Sequence, residues 1–185
     1  MMEALLIGIP FLIYIFLRIR LGSDISPQEY DEIIFKDGIE AYKSADYLAA
    51  FRYFDAEVHE YPKSSTAYLY RGKCHYSFEN WEAALADFEK SIRLDNALAD
   101  TFYWKGLCHY QLEDYTLSLF ELKRASRMYL DKNAEVMRMI GELEFRKADF
   151  ESAEKSFKIA ADLGDNKSNI LLQTLFYGNI RKASS

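Results

Sequence analysis

Cys74-His75 and Cys108-His109 put two thiols and two imidazoles into the chain, 34 residues apart. Two Cys with two His is a donor set of structural zinc. A thiol beside an imidazole is also the pairing of a nucleophile with its base. Both chemistries need side chains that converge, and adjacent residues of a helix point about 100° apart. No third residue that would orient an imidazole, and no oxyanion-binding element, can be named beside them. The pairs fall instead in a column that accepts small buried residues, where a free thiol behaves as a small hydrophobe. A metal- or thiol-dependent activity at Cys74, His75, Cys108 and His109 is kept as the lesser alternative. Elsewhere Asp and Glu scatter over helix surfaces, and no glycine-rich phosphate loop occurs. No catalytic residue, no metal ligand and no cofactor is expected, so the chain is read as a binding protein and not an enzyme.

The two pairs match because their surroundings match. Gly72-Lys73-Cys74-His75-Tyr76 returns as Gly106-Leu107-Cys108-His109-Tyr110, and Gly38, Gly72, Gly106 and Gly141 follow one another at 34, 34 and 35 residues. Nine residues after each glycine stands an aromatic: Tyr47, Trp81, Tyr115, Phe150. A helix-capping residue precedes it each time: Asp46, Asn80, Asp114, Asp149. Three residues beyond the aromatic comes a small side chain (Ala50, Ala84, Ser118, Ala153), and four further a large apolar one (Phe54, Phe88, Leu122, Phe157). A period of this length marks a solenoid. Each unit reads as two helices joined near the Asp/Asn cap. In the second unit Trp81, Ala84, Leu85 and Phe88 give the second helix an apolar face at helical spacing. Neither helix of a pair buries its whole apolar surface alone, so successive pairs must stack.

These columns resemble the tetratricopeptide repeat family over about residues 30–164. The family's Ala-x3-Phe element stands as Ala50/Phe54, Ala84/Phe88 and Ala153/Phe157. Its early aromatic is Tyr68 and Phe102, replaced by Ile34 and Met137 in the outer repeats. Its Leu-Gly is degraded to Arg71-Gly72 and Lys105-Gly106, and its closing proline survives as Pro62. The resemblance implies an all-α, right-handed α-solenoid of about four helix pairs, at about 31–63, 64–97, 98–132 and 133–164. Residues 165–185 add a helix from about Lys167 to Ile180 behind the cap Asp165-Asn166. Its apolar side is read as Ile170, Leu171, Leu175 and Phe176, closing the stacking face of the last repeat.

In the first helix of each repeat, three positions share one face at i, i+4 and i+7. They are Phe35, Ile39 and Tyr42; Leu69, Lys73 and Tyr76; Tyr103, Leu107 and Tyr110; Arg138, Glu142 and Phe145. In the resembled family this face lines the concave groove that holds peptides. The expected groove residues are therefore Phe35, Tyr42, Leu69, Lys73, Tyr76, Tyr103, Leu107, Tyr110, Arg138 and Phe145. Lys73 and Arg138 are expected to orient an acidic or carboxylate-bearing ligand. The competing reading is that the aromatic column is inter-repeat core. The family's carboxylate-clamping subclass is not expected, since over the first three repeats the columns that would carry the clamp hold Phe35, Leu69 and Tyr103, and Ile39 and Leu107, with only Lys73 basic.

Ahead of the repeats, Ala4 to Leu17 runs 14 residues without a charge, and Leu21 extends the apolar stretch to 18 with Arg18 and Arg20 near its end. At about 27 Å such a helix nearly matches a bilayer core of about 30 Å, and terminal arginines can snorkel outward. The opening Met1-Met2-Glu3 lacks the basic start of a cleaved signal, and no small-residue cleavage site follows. Residues 1–22 are expected to be a single uncleaved membrane anchor, with Arg18 and Arg20 on the cytoplasmic side. Residues 23–29 form a short linker in which Ser26, Pro27 and Glu29 read as a helix start.

The totals agree. The 185 residues are 50% hydrophobic and 28% charged with three Pro, which favours a folded helical domain over a disordered chain. The net charge of −6 and the lack of a Lys/Arg run argue against a nucleic-acid partner. The expected function is a membrane-anchored scaffold that binds a protein or peptide through the groove, facing the cytoplasm. The alternative within binding proteins is a receptor or assembly factor for protein translocation or a membrane complex.

Overall fold

The computed structural model describes residues 13–16 and 27–178. The expected anchor at 1–22, apart from the helical residues 13–16, lies outside the described residues, as do the cap Ser26 and the tail after 178. Among the described residues no helix is long and apolar enough to cross a membrane.

Local signals set the helix starts. Helices α1 (Pro27–Ile34) and α2 (Lys36–Lys43) form the first arm of the first pair, and α3 (Tyr47–Glu60) the second. The next pairs are α4 (Ser65–Ser77) with α5 (Trp81–Leu94), α6 (Ala99–Gln111) with α7 (Tyr115–Met128), and α8 (Ala134–Arg146) with α9 (Phe150–Asp162). The carboxylates of Asp46, Asp114 and Asp149 accept from the backbone N–H of Ala49, Leu117 and Ser152 at 3.0, 3.0 and 3.2 Å, satisfying donors that a helix start leaves unpaired. Asn80 holds the same N-cap backbone without the side-chain bond. The residue before each of these caps is left-handed: Ala45, Glu79, Glu113 and Ala148 have φ of 60 to 63°. There the N–H of the cap reaches back five residues, as Asp46 to Ala41 and Asp149 to Glu144, both at 3.0 Å. This closes the preceding helix in a Schellman turn. One Asp or Asn thus ends one helix and starts the next.

Packing follows the columns. Ala50, Ala84, Ser118 and Ala153 are fully buried, and so are Phe54, Phe88, Leu122 and Phe157. Fully burying one such large side chain stabilises by about 1.5–3 kcal/mol. A Cβ on Gly72 would lie 2.6 Å from the Phe88 ring, so the two helices of that pair close only over glycine. In the third pair the Ser118 hydroxyl donates to the Gly106 carbonyl at 2.9 Å. First arms of successive pairs also touch, α2 with α4 and α4 with α6. The result is an all-helical solenoid of the tetratricopeptide type, without strands among the described residues.

Ion pairs join successive repeats where the sequence reads as degraded. Arg71 binds Asp87 of its own repeat through Nε and Nη2 at 2.8 and 2.7 Å, and Asp55 of the preceding repeat at 2.9 Å. One repeat on, Lys105 meets Glu121 at 3.0 Å and Glu89 of the preceding repeat at 3.9 Å. In the fourth repeat the polarity inverts. Lys123 of the preceding repeat binds Glu144 at 2.7 Å, and Glu144 accepts from Ser156 at 2.7 Å.

The closing element departs from expectation. Helix α10 (Asn166–Leu171), capped by Asp165, runs into a π-helical segment, Leu172–Tyr177. Leu172 packs inward against Ala153 and Phe157, one helical turn after the buried Ser168, while Ile170 and Leu175 are exposed. Of the expected apolar side, Leu171 and Phe176 face the last pair, while Ile170 and Leu175 do not.

Candidate protein-binding face

The first arms carry an aromatic four residues after each repeat glycine, near the helix end where the face meets the turn. Each packs edge-on or tilted against the aromatic that opens the second arm. Ring centroids are 5.3 Å apart for Tyr42 and Tyr47, 4.9 Å for Tyr76 and Trp81, 5.7 Å for Tyr110 and Tyr115, and 5.1 Å for Phe145 and Phe150. These are favourable aromatic geometries. All four first-arm rings are half-buried, so each pair supports the turn and still shows part of a ring to solvent. Between repeats the row is continued by Tyr70, 5.9 Å from Tyr42, and Trp104, 5.2 Å from Tyr76. Tyr103 and Leu107 of the same face are half-buried as well.

Two expected groove residues belong to the core. Phe35 is 1% exposed and packs edge-on against Phe54 and Tyr61. Leu69 is buried among Ala84, Phe88, Leu98 and Cys108. Helical spacing puts both on the face, but the neighbouring helices close over that end of it. Ile39 is buried too.

The two cations of the expected groove lie beside the chain's own carboxylates. Lys73 is 6% exposed. Its Nζ lies 3.1 Å from Asp100 and 4.5 Å from the centroid of the Tyr70 ring. Burial pulls its pKa below the ordinary lysine value, against the opposing pull of Asp100. Arg138 binds Glu142 at 2.7 Å and lies 3.6 Å from Asp165 and 3.8 Å from Glu135. The chain's own carboxylates engage both side chains, and the Arg138 Nε is buried without a hydrogen-bond partner.

The thiol and imidazole columns are packing positions. Cys74 and Cys108 are free and fully buried, and burial pushes both thiols up to about 12. A thiolate is the form that attacks or ligates, so these sulfurs are held in the inert form. His75 packs edge-on to Phe51 at 5.0 Å with Nε2 3.9 Å from Asp87. Among the described residues no group of three or more His, Cys, Asp or Glu is placed to hold a metal ion.

A cavity of about 200 Å³ opens beside the aromatic row, where α1, α4 and the start of α6 meet the end of α7. Sequence reading missed it, because Tyr129 and the 97–100 turn lie outside the repeated face. Of its lining residues only Leu69 belongs to the face expected from the sequence.

Residues 35–99 match the family model described as tetratricopeptide repeat. No curated protein matches the sequence. Solved structures with the same fold include a crystal structure of MamA, at TM-score 0.61 and 16% identity, covering 69% of this chain and 74% of that one. A MamA RS-1 ArsTM double mutant aligns at TM-score 0.63 and 20% identity over 90% of this chain and 91% of that one. The first tetratricopeptide domain of Spaghetti (RPAP3), bound to the HSP90 peptide SRMEEVD, aligns at TM-score 0.58 and 13% identity over 63% and 91%. At these identities the likeness is one of fold.

Proposed function

We propose that this chain is a protein-interaction scaffold, that its ligand is a peptide segment of another protein, and that the ligand lies along the first-arm face. The observation that carries the reading is the row of half-buried aromatics Tyr42, Tyr76, Tyr110 and Phe145, each propped by the ring that opens the next helix. Propped rings lose little freedom on binding, and tyrosine offers contact area with a polar tip. Support from likeness is limited to a protein of the same fold that holds a peptide. We further propose that residues 1–22 tether the scaffold to a membrane, with the repeats on the cytoplasmic side. Capture of partners by the full chain, with Tyr76→Ala and Tyr110→Ala combined as the comparison, tests the face. The double variant is expected to stay folded and lose its partners. Retention of the same partners by the folded variant would move the functional surface elsewhere. Carbonate extraction of the full chain tests the tether, and release into the supernatant would refute it.

A further inference from the structure

We infer that the cavity bounded by Glu32, Tyr70, Asp100 and Tyr129 is a subsite for the cationic side chain of a basic protein segment, arginine or lysine. The inference rests on the peptide-binding reading of this face and specifies the ligand's chemistry.

The cavity holds about 200 Å³, less than the roughly 300 Å³ at which small-molecule pockets begin. It suits one long side chain. Thr66, Leu69 and Leu98 are buried at its base and offer a surface for a methylene stem. The charged side chains that line it are Glu32 and Asp100, both carboxylates and both exposed. Asp100 accepts from Lys73 on one oxygen and from Tyr129 on the other. A carboxylate has about four acceptor sites, and the Asp100 side chain is 51% exposed, so acceptor capacity remains toward the cavity. Tyr70 has Phe54 stacked on its ring at 5.0 Å and the Lys73 ammonium over the ring at 4.5 Å. It also lines the cavity. Burial first, and then the charges of Asp100 and Glu32, push that phenol up to about 12.

The acidic character continues along the face. Glu135 interacts with Tyr76 and Tyr103, and Glu142 and Asp165 surround Arg138. An acidic segment would meet these carboxylates while Lys73 and Arg138 stay engaged by their own partners. A basic segment meets complementary charge, which fixes register and partner choice.

The test uses the full chain in detergent and fluorescence anisotropy with a labelled, blocked ten-residue peptide. The peptide carries two arginines and no acidic residue, and a matched peptide carries glutamate at both positions. Three variants are compared. Ala97→Trp fills the cavity mouth without changing charge. Glu32→Gln removes a rim charge, and Glu151→Gln removes an exposed charge on α9. The arginine peptide is expected to bind wild type, to weaken about tenfold with Ala97→Trp and several-fold with Glu32→Gln, and to be unchanged with Glu151→Gln. Equal or tighter binding of the glutamate peptide overturns the inference. So does equal weakening by Glu32→Gln and Glu151→Gln, which would mark bulk attraction to an acidic protein. Failure of the arginine peptide to bind overturns it as well. If the aromatic double variant still abolishes partner capture in that case, the peptide-binding reading survives without the cationic subsite.

Discussion

Arg71 grips Asp87 with two parallel hydrogen bonds of 2.8 and 2.7 Å and reaches Asp55 of the preceding repeat with a third at 2.9 Å. Bidentate arginine–carboxylate pairing is the strong form of ion pair, and here it sits where a leucine would fill the resembled family's pattern. A buried pair need not exceed a hydrophobic contact in net stability, but losing one partner strands a charge. Arg71→Leu alone leaves Asp87 buried without its partner and is expected to cost about 3 kcal/mol or more in urea unfolding. Arg71→Leu with Asp87→Leu is expected to recover most of that loss. A double variant as unstable as the single one would show that the pair is worth more than its apolar replacement.

The four left-handed turns make a second prediction. Glu113 and Ala148 both have φ of 60°, a conformation that costs an L-residue about 1–2 kcal/mol. Glycine removes that strain, and its extra freedom in the unfolded chain offsets about 0.4–1 kcal/mol of the gain. Glu113→Gly and Ala148→Gly are each expected to stabilise by about 0.5–1 kcal/mol. A fall in Tm for both would mean that the side chains contribute contacts larger than the strain.

Alkali should loosen the fold. Burial pushes the thiols of Cys74 and Cys108 from 9.0 up to about 12, and chiefly through burial the phenols of Tyr42 and Tyr70 rise from 10.0 to about 12. Their folded pKa lies above the unfolded value, so the unfolded chain binds fewer protons in the window between. The contribution of these four groups is complete below about pH 9 and falls as pH rises towards 12. Thermal unfolding followed at pH 7, 9, 10 and 11 should show the decline, and Ellman's reagent should react slowly with the folded protein at pH 8. Two fast thiols in folded protein would contradict the burial.

The repeat columns were legible because each records a contact made over and over. Gly72 faces Phe88, Gly106 faces Leu122 and Gly141 faces Phe157, and one register serves all three. Gly38 was found by the same register, although there the nearest ring is Tyr53. The ion staples were not legible in that way. Arg71 and Lys105 looked like eroded leucines because their partners Asp87 and Glu121 lie 16 residues on, in a column the family pattern leaves open. Phe35 and Leu69 share the helical face of Tyr42 and Tyr76. Helical period fixes direction and not cover, and only the neighbouring helices decide which end of the face is sealed. Leu172 lies one helical turn after the buried Ser168, a small polar residue that gives no apolar mark to align it with.

Lys73 and Asp100 make the last prediction, because their exposures are unequal. The ammonium is buried and the carboxylate is half in solvent. Removing the lysine leaves Asp100 hydrated, with Tyr129 still donating to it. Lys73→Met keeps most of the packed stem and ends the desolvation of a charge, so stability should change by no more than about 1 kcal/mol. Removing the aspartate is different, because it leaves the Lys73 ammonium buried without its carboxylate. Asp100→Ala is therefore expected to cost about 3 kcal/mol at pH 7. The sign of its pH dependence follows from the proton. Burial already holds the folded pKa of Lys73 below 10.5, and Asp100 is the largest force opposing that fall. Without Asp100 the folded pKa drops further, the unfolded chain binds the extra proton, and stability rises with pH until the unfolded lysine also titrates near 10.5. The deficit of Asp100→Ala relative to wild type should thus shrink between pH 7 and 9. A deficit constant over that range, or equal costs for the two substitutions at pH 7, would mean that the ammonium finds solvent and is not held in the interior.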